Sequence, residues 1–312
     1  MDRLRVLAEA DGFFTRPDAL GVGHDDKSIR RALRARVWLR LRPGTYTFPD
    51  LWPGTAEALH LCRGRAVCRK LGPRVALSHV SAALEHGLRV WGADLGRVHV
   101  TRLDGGAGRT EAGVAHHIGF TTDDDLVRVD DRWVVRPARA ALETASLVST
   151  ESGLATIDSA LHLGRCDAAE LESVADLLRF WPDMRGVQVA HRLADPGGQS
   201  VGESRTRYLC YAHGLPAPQL QFPVHDGAGR LIGITDFAWP EHRMLGEFDG
   251  RVKYGRLLRE GEEPGDAVFR EKLREDRLRE VTGWGMVRVV WADLDHPEVT
   301  AARIRHQLRR AA

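Results

Sequence analysis

Four acids and one lysine in the last third of the chain have the types and spacing for metal-assisted chemistry. Residues 231 to 255 read LIGITDFAWPEHRMLGEFDGRVKYG. Asp236 closes one apolar run, and Glu247, Asp249 and Lys253 follow within seven residues beyond a Trp-Pro-Glu-His turn. Read as a strand, Glu247 and Asp249 share one face, about 6.6 Å apart along the chain, while Phe248 points to the other. If the two runs pair as antiparallel arms, Asp236 lies near Glu247 across the pair. Carboxylates this close repel unless a cation or basic group sits between them. An oxygen-rich set of this kind suits Mg2+ or Mn2+. Lys253 would neutralise developing negative charge or position a water. Glu203, at the start of an earlier helix, would complete a metal shell. The competing reading is a solvated strand face. Strands disfavour Asp and the flanking residues read as buried, which weighs against it.

A second charged group lies near the start. Asp25 or Asp26 can cap a helix KSIRRALRAR, on which Ile29 and Leu33 face inward and Arg30, Arg31 and Arg34 outward. VWLRLRPGTYTF then alternates apolar and basic residues around Pro43-Gly44, a strand-turn-strand signal that adds Arg36, Arg40 and Arg42. Six arginines within thirteen residues suit DNA: the helix contacts the major groove, and the later arginines reach phosphates. Phosphate contacts add salt dependence without sequence readout. The bland reading is a solvated or protein-docking surface.

These groups need elements to hold them. At 312 residues the chain is too long for one ordinary domain. Texture divides it into residues 1–52, helical and arginine-rich; 53–195, mixed α+β; and 196–312, which carry the clustered acids. Three helices and a basic hairpin predict a winged helix-turn-helix over 1–52. In 196–312 the order is a helix ESRTRYLCYAHG closed by Gly214, strands at 219–225, 231–237 and 243–249, a charged helix, the strand VRVVWADL and a last helix. That order predicts an α/β sandwich, so the fold class is α/β multidomain. With 43% hydrophobic and 28% charged residues and net charge +2, the chain reads as soluble and does not announce a nucleic-acid binder by total charge. No apolar run reaches the roughly 18 residues of a membrane span, and the N-terminus lacks a signal peptide's apolar segment. Cys62, Cys68, Cys166 and Cys210 form no C-x-x-C pair, which predicts free thiols in the cytoplasm. His116-His117 reads as a surface strand pair. His79 and His86, seven apart on one helix face, read as packing residues.

Two resemblances sharpen these expectations. G-E-S-R-T-R, G-L-P-x-P-x-x-Q, T-D-F-A-W-P and E-F-D-G-R-V-K-Y together resemble relatives of the very-short-patch repair endonucleases, within the PD-(D/E)XK nuclease fold. The resemblance implies a Mg2+-dependent phosphodiesterase in which Asp236 and Glu247 hold metal, Glu203 assists and a metal-bound water attacks phosphorus. Two positions depart from the pattern. Asp249 stands where E-x-K has lysine, and Lys253-Tyr254 replaces a histidine after the glycine. DGFFTRPDAL, IRRAL and WLRLRPGTY resemble the winged-helix antitoxin domain of the AbiEi type, from type IV toxin–antitoxin systems. HVSAALEHGL, VHVTR, RPARAALETA and ATIDSALHLG resemble the region that usually lies C-terminal to that domain, with Glu143 in place of the usual aspartate. The resulting expectation is a cytoplasmic DNA-binding protein with a Mg2+-dependent endonuclease domain. Its alternative is a catalytically inactive regulator or antitoxin that contacts DNA or a cognate toxin protein.

Overall fold

Capping chemistry sets the first elements. Thr15 accepts the Asp18 N–H while the Asp18 carboxylate accepts the Thr15 N–H at 2.8 Å, so α2 (Arg16–Gly21) begins in a closed capping box. Asp25 and Ser28 form the same box at the start of α3 (Asp26–Arg34). Before them come α1 (Arg3–Asp11) and the two-residue β1 (Phe14–Thr15); after them, β2 (Leu39–Arg42) and β3 (Thr45–Thr47). The three strands form an antiparallel sheet in the order β1-β3-β2. Leu4, Ala8, Phe14, Ala19, Ile29, Trp38 and Tyr46 make the core beneath it. The computed structural model describes residues 2–119, 121–250 and 264–311.

The next helix, α4 (Ala56–Leu71), is not foreshadowed by any clear sequence signal. It explains why the expected break at 52/53 falls inside a larger unit. The chain divides into Met1–His191 and Arg192–Ala312. Phe13 and Leu41 pack on Ala66 of α4. Arg69 of α4 pairs with Asp18 at 2.9 Å, and the Arg63 side chain donates to the Leu41 carbonyl at 3.0 Å. The same unit carries β4 (Val75–Leu77), α5 (His79–Glu85), β5 (Val98–Arg102), β6 (Arg109–Glu111), β7 (Val114–His117), β8 (Leu126–Val129) and β9 (Arg132–Val135). These strands build a mixed sheet in the order β6-β7-β5-β4-β9-β8, with β5–β7 and β4–β9 parallel. Leu126 to Val135 turn at Asp130-Asp131 into the β8–β9 hairpin. Helices α6 (Pro137–Ala145), α7 (Thr150–His162), α8 (Ala168–Leu178) and α9 (Met184–Leu193) complete the series, and α6 is buried from Ala138 to Ala145.

The second unit runs α10 (Val201–Ala212), β10 (Gln219–His225), β11 (Leu231–Trp239), β12 (Met244–Asp249), α11 (Pro264–Thr282), β13 (Gly285–Val290), α12 (Trp291–Leu294) and α13 (Pro297–Ala311). Its sheet order is β10-β11-β12-β13. The first three strands are antiparallel, and β13 joins β12 in parallel after the α11 crossover. Phe237, Trp239, Phe248, Val287 and Val289 pack with Leu209, Cys210, Ile304 and Leu308 of α10 and α13. Val224, Ala238, Leu245 and Met286 pack with Leu278 of α11. The chain is therefore an α/β protein with three sheets. Among the described residues no helix is long and apolar enough to cross a membrane. All four cysteines are free thiols, and burial pushes Cys68, Cys166 and Cys210 up to about 12.

Gly202 marks where α10 comes closest to the sheet, since a Cβ there would run into the Phe248 ring. Alanine favours a helix over glycine by about 1 kcal/mol, but overpacking costs roughly 1–3 kcal/mol. A rigid ring in a full core cannot swing away, so the clash wins. Gly202→Ala is expected to lower the urea midpoint of the C-terminal unit; an unchanged or raised midpoint would show that α10 can shift.

Candidate functional site

The acids of the second unit sit where strand periodicity put them. The β11–β12 ladder runs from Trp239↔Met244 to Phe237↔Gly246, and one further step brings Asp236 opposite Glu247. There the Phe248 N–H donates to Asp236 Oδ2 at 2.8 Å, so a side chain receives the amide the ladder leaves over. Glu247 is buried and Asp249 half-buried, while Phe248 between them turns into the core. Glu247 stands beside Arg288 of β13 in the parallel register. Its carboxylate is engaged directly by Arg274 of α11, and Arg288 lies 3.9 Å away. Arg274 also donates to the Ile234 carbonyl at 3.1 Å. The charge that must sit among these acids is thus a guanidinium, supplied by residues that the motifs do not single out. Lys253 lies outside the described residues.

Glu203 is buried at the first turn of α10, where its backbone N–H donates to the Ser200 hydroxyl at the helix cap. Its carboxylate accepts the Ser200 hydroxyl at 2.6 Å, the Gln199 N–H at 3.0 Å and the Gln221 side-chain amide at 3.2 Å. Gln221, within β10, holds a left-handed backbone at φ 48°, a conformation non-glycine residues seldom adopt. It is the final residue of G-L-P-x-P-x-x-Q, so the motif is visible in sequence but its contact to Glu203 is not. No trio that includes these acids is among the described groups whose metal-ligating atoms converge within 4.8 Å.

In the first unit, Arg30, Arg31 and Arg34 are exposed on α3, with Ile29 turned into the core. Arg36 and Arg40 are exposed as well. Arg42 differs from the expected phosphate contact. It is half-buried, and one guanidinium nitrogen has no hydrogen-bond partner among the described residues. Burial, and then the charge of Arg63, pushes its pKa below the ordinary arginine value.

A separate cluster in this unit has no sequence motif to announce it. His79, at the start of α5, stacks on His117 of β7 with ring centroids 3.8 Å apart. His99 Nδ1 and His117 Nε2 are 2.9 Å apart. His117 stands across from Thr101, two residues beyond His99 on the same face of parallel neighbours. His116 and His117 therefore point to opposite faces, and it is the β5–β7 pairing that gathers the trio. Glu143, fully buried on α6, accepts the His79 N–H at 3.1 Å and lies 3.3 Å from its Nδ1. Arg139 bridges Glu143 at 2.8 Å and Asp125 at 2.9 Å. Burial, reinforced by His117 and Arg139, drives His79 well below the usual histidine value. Burial and the neighbouring histidines take His99 to about 3, and burial also lowers His117. The imidazoles are therefore neutral at physiological pH.

No family model matches the chain. Two Mycobacterium tuberculosis proteins do: the uncharacterized proteins MT2308 and Rv2248, from different strains. Each is 32% identical over 293 residues, covering 92% of this chain and 96% of the relative. The chain belongs to the family of these proteins. Among solved structures, the Rv2827c protein of Mycobacterium tuberculosis aligns with a TM-score of 0.38 at 16% identity, covering 65% of this chain and 78% of that one.

The geometry leads to two expected outcomes. Arg274→Ala removes the guanidinium that engages the buried Glu247 carboxylate directly, and Arg274 itself is partly solvated. The loss should be roughly 1–3 kcal/mol by denaturant titration. Adding Glu247→Gln should restore most of it, and a double variant no better than the single would refute the pairing. For the histidines, the unfolded chain takes up protons near pH 6.5 that the folded chain refuses. Stability is then complete above that pH and falls below it by about 1.4 kcal/mol per pH unit for each imidazole that stays neutral. Urea midpoints of the first unit should drop steadily from pH 6.5 to 5, less steeply in His99→Asn. A flat profile would mean these rings are protonated when folded.

Proposed function

We propose that the protein binds duplex DNA through α3 and the β2–β3 hairpin, and that its C-terminal unit is a restriction-endonuclease-like platform. The carrying observation is the run of exposed arginines Arg30, Arg31, Arg34, Arg36 and Arg40 on a helix and the segment leading into its hairpin. The order α1-β1-α2-α3-β2-β3 supports reading this segment as a winged helix-turn-helix. In such a module α3 enters the major groove and the hairpin rides the backbone. In the second unit, a helix, a three-strand meander, a crossover helix and a parallel fourth strand match the order expected of the PD-(D/E)XK fold.

The acids fit a binding platform better than a metal centre. Mg2+ requires several oxygen ligands in near-octahedral geometry. Glu247 is already neutralised by Arg274, Asp236 holds the Phe248 N–H, Glu203 is taken up by Ser200, Gln199 and Gln221, and Asp249 occupies the position of the nuclease lysine. We therefore favour a non-cleaving regulator or antitoxin. A cognate toxin partner rests on the AbiEi resemblance alone. One observation favours the second reading, a Mg2+- or Mn2+-dependent DNA endonuclease: Asp236 and Glu247 adjoin on neighbouring strands, where such an ion would be held.

Duplex affinity should fall with salt, log Kd changing by roughly 3–5 per decade of salt if four or five phosphates are contacted. Arg36→Ala/Arg40→Ala should reduce that slope by about 2, and a salt-independent Kd would rule out the DNA reading. Supercoiled plasmid with Mg2+ or Mn2+ should stay intact. Nicking by the unaltered chain that Asp236→Ala abolishes would establish the endonuclease instead.

A further inference from the structure

We propose that His79, His99 and His117 hold a divalent transition-metal ion of the Zn2+ class, with Glu143 orienting His79 from behind. The site lies in the first unit and is independent of both readings of the acids. One candidate atom from each histidine falls within 4.8 Å of the others, and two of the nitrogens are 2.9 Å apart. A tetrahedral ion with Zn–N bonds of about 2.0–2.1 Å sets its ligands about 3.3 Å apart. The nitrogens are thus near the required spacing, and the rings must reorient to aim them at one point. Because an imidazole binds in its own plane, ligation would turn His79 out of its stack on His117.

Three further features suit a metal site. First, the ligands are the right kind. Neutral imidazole suits Zn2+, Co2+, Ni2+ or Cu2+ and is a poor match for Mg2+ or Ca2+. Second, the outer contact is in place. Nδ1 of His79 lies 3.0 Å from the Ser78 hydroxyl and 3.3 Å from the Glu143 carboxylate, so two oxygens stand ready to accept a proton from Nδ1 when Nε2 is the metal donor, as behind other metal-bound histidines. Arg139, itself paired with Asp125, holds Glu143 in turn. Third, His79 sits at φ 50°, a left-handed conformation that a non-glycine residue keeps only where function or packing demands it. His117 is only half-buried and opens a route to the ion. Three histidines would leave the fourth position for water or a substrate atom.

The competing account is a stacked, hydrogen-bonded histidine trio and nothing more. The test uses the untagged full-length chain stripped with a chelator and titrated with Co2+. One equivalent should bind with the visible absorption of four-coordinate cobalt, and Zn2+ should bleach it. His117→Gln, checked for an unchanged circular dichroism spectrum, should weaken binding at least 100-fold. Glu143→Gln should keep the stoichiometry and weaken it about 10- to 100-fold. X-ray absorption on the unaltered Zn2+-loaded chain requires no variant to fold. It should count three imidazole nitrogens at about 2.0 Å. No cobalt spectrum, binding indifferent to His117→Gln, or an oxygen-dominated shell would each overturn the proposal.

Discussion

A carboxylate taken out of water must be met by a cation or by N–H donors, and that requirement shapes both units of this chain. In the first, Glu143 is fully buried, and Arg139 and the His79 N–H meet it from two sides. That places α6 against the start of α5 and ties both to Asp125 before β8. In the second, Glu247 draws Arg274 from α11 on one side and Arg288 from β13 on the other. Glu203 fixes the start of α10 to Gln221 of β10. Apolar packing could be satisfied by several registers of these helices. The charges are satisfied by far fewer, so they select among them.

The legible parts of the chain are those whose signals are local. Asp226-Gly227, Pro240 and the two-residue period delimit β10, β11 and β12, and the side on which Phe248 and Glu247 fall comes from that period. Thr15, Asp25 and Ser200 announce their helices by capping chemistry. The adjacency of Asp236 and Glu247 is legible for the same reason. What neutralises them is not, because Arg274 arrives from a helix beyond the strand pair and nothing in its own neighbourhood distinguishes it from the other charges of α11. In the middle of the chain, α4 is rich in arginine and cysteine and shows little apolar periodicity, while β4 and β6 are three residues each. The histidine trio depends on the parallel pairing of β5 with β7, which no spacing within either strand encodes.

Two backbone positions connect these clusters. His79 and Gln221 are both non-glycine residues in the left-handed region, and each touches the buried acid of its unit. Such a conformation persists only where surrounding contacts over-determine it. In both cases the contact is a hydrogen bond to a carboxylate, from the backbone N–H of His79 and from the side chain of Gln221. Strain and charge are therefore stored at the same places.

The parallel pairing of β12 with β13 has a consequence for the order in which the chain can be built. An antiparallel neighbour can join as soon as its turn is made, but β13 joins only after the α11 crossover has been synthesised. Until then β12 is an open edge, with Glu247 already laid into the sheet and Arg274 and Arg288 still to come. The first unit can finish folding during that interval, since its two sheets are built from β1 to β9. A chain cut short before α11 would present a three-strand sheet whose open edge carries Glu247 without Arg274 or Arg288.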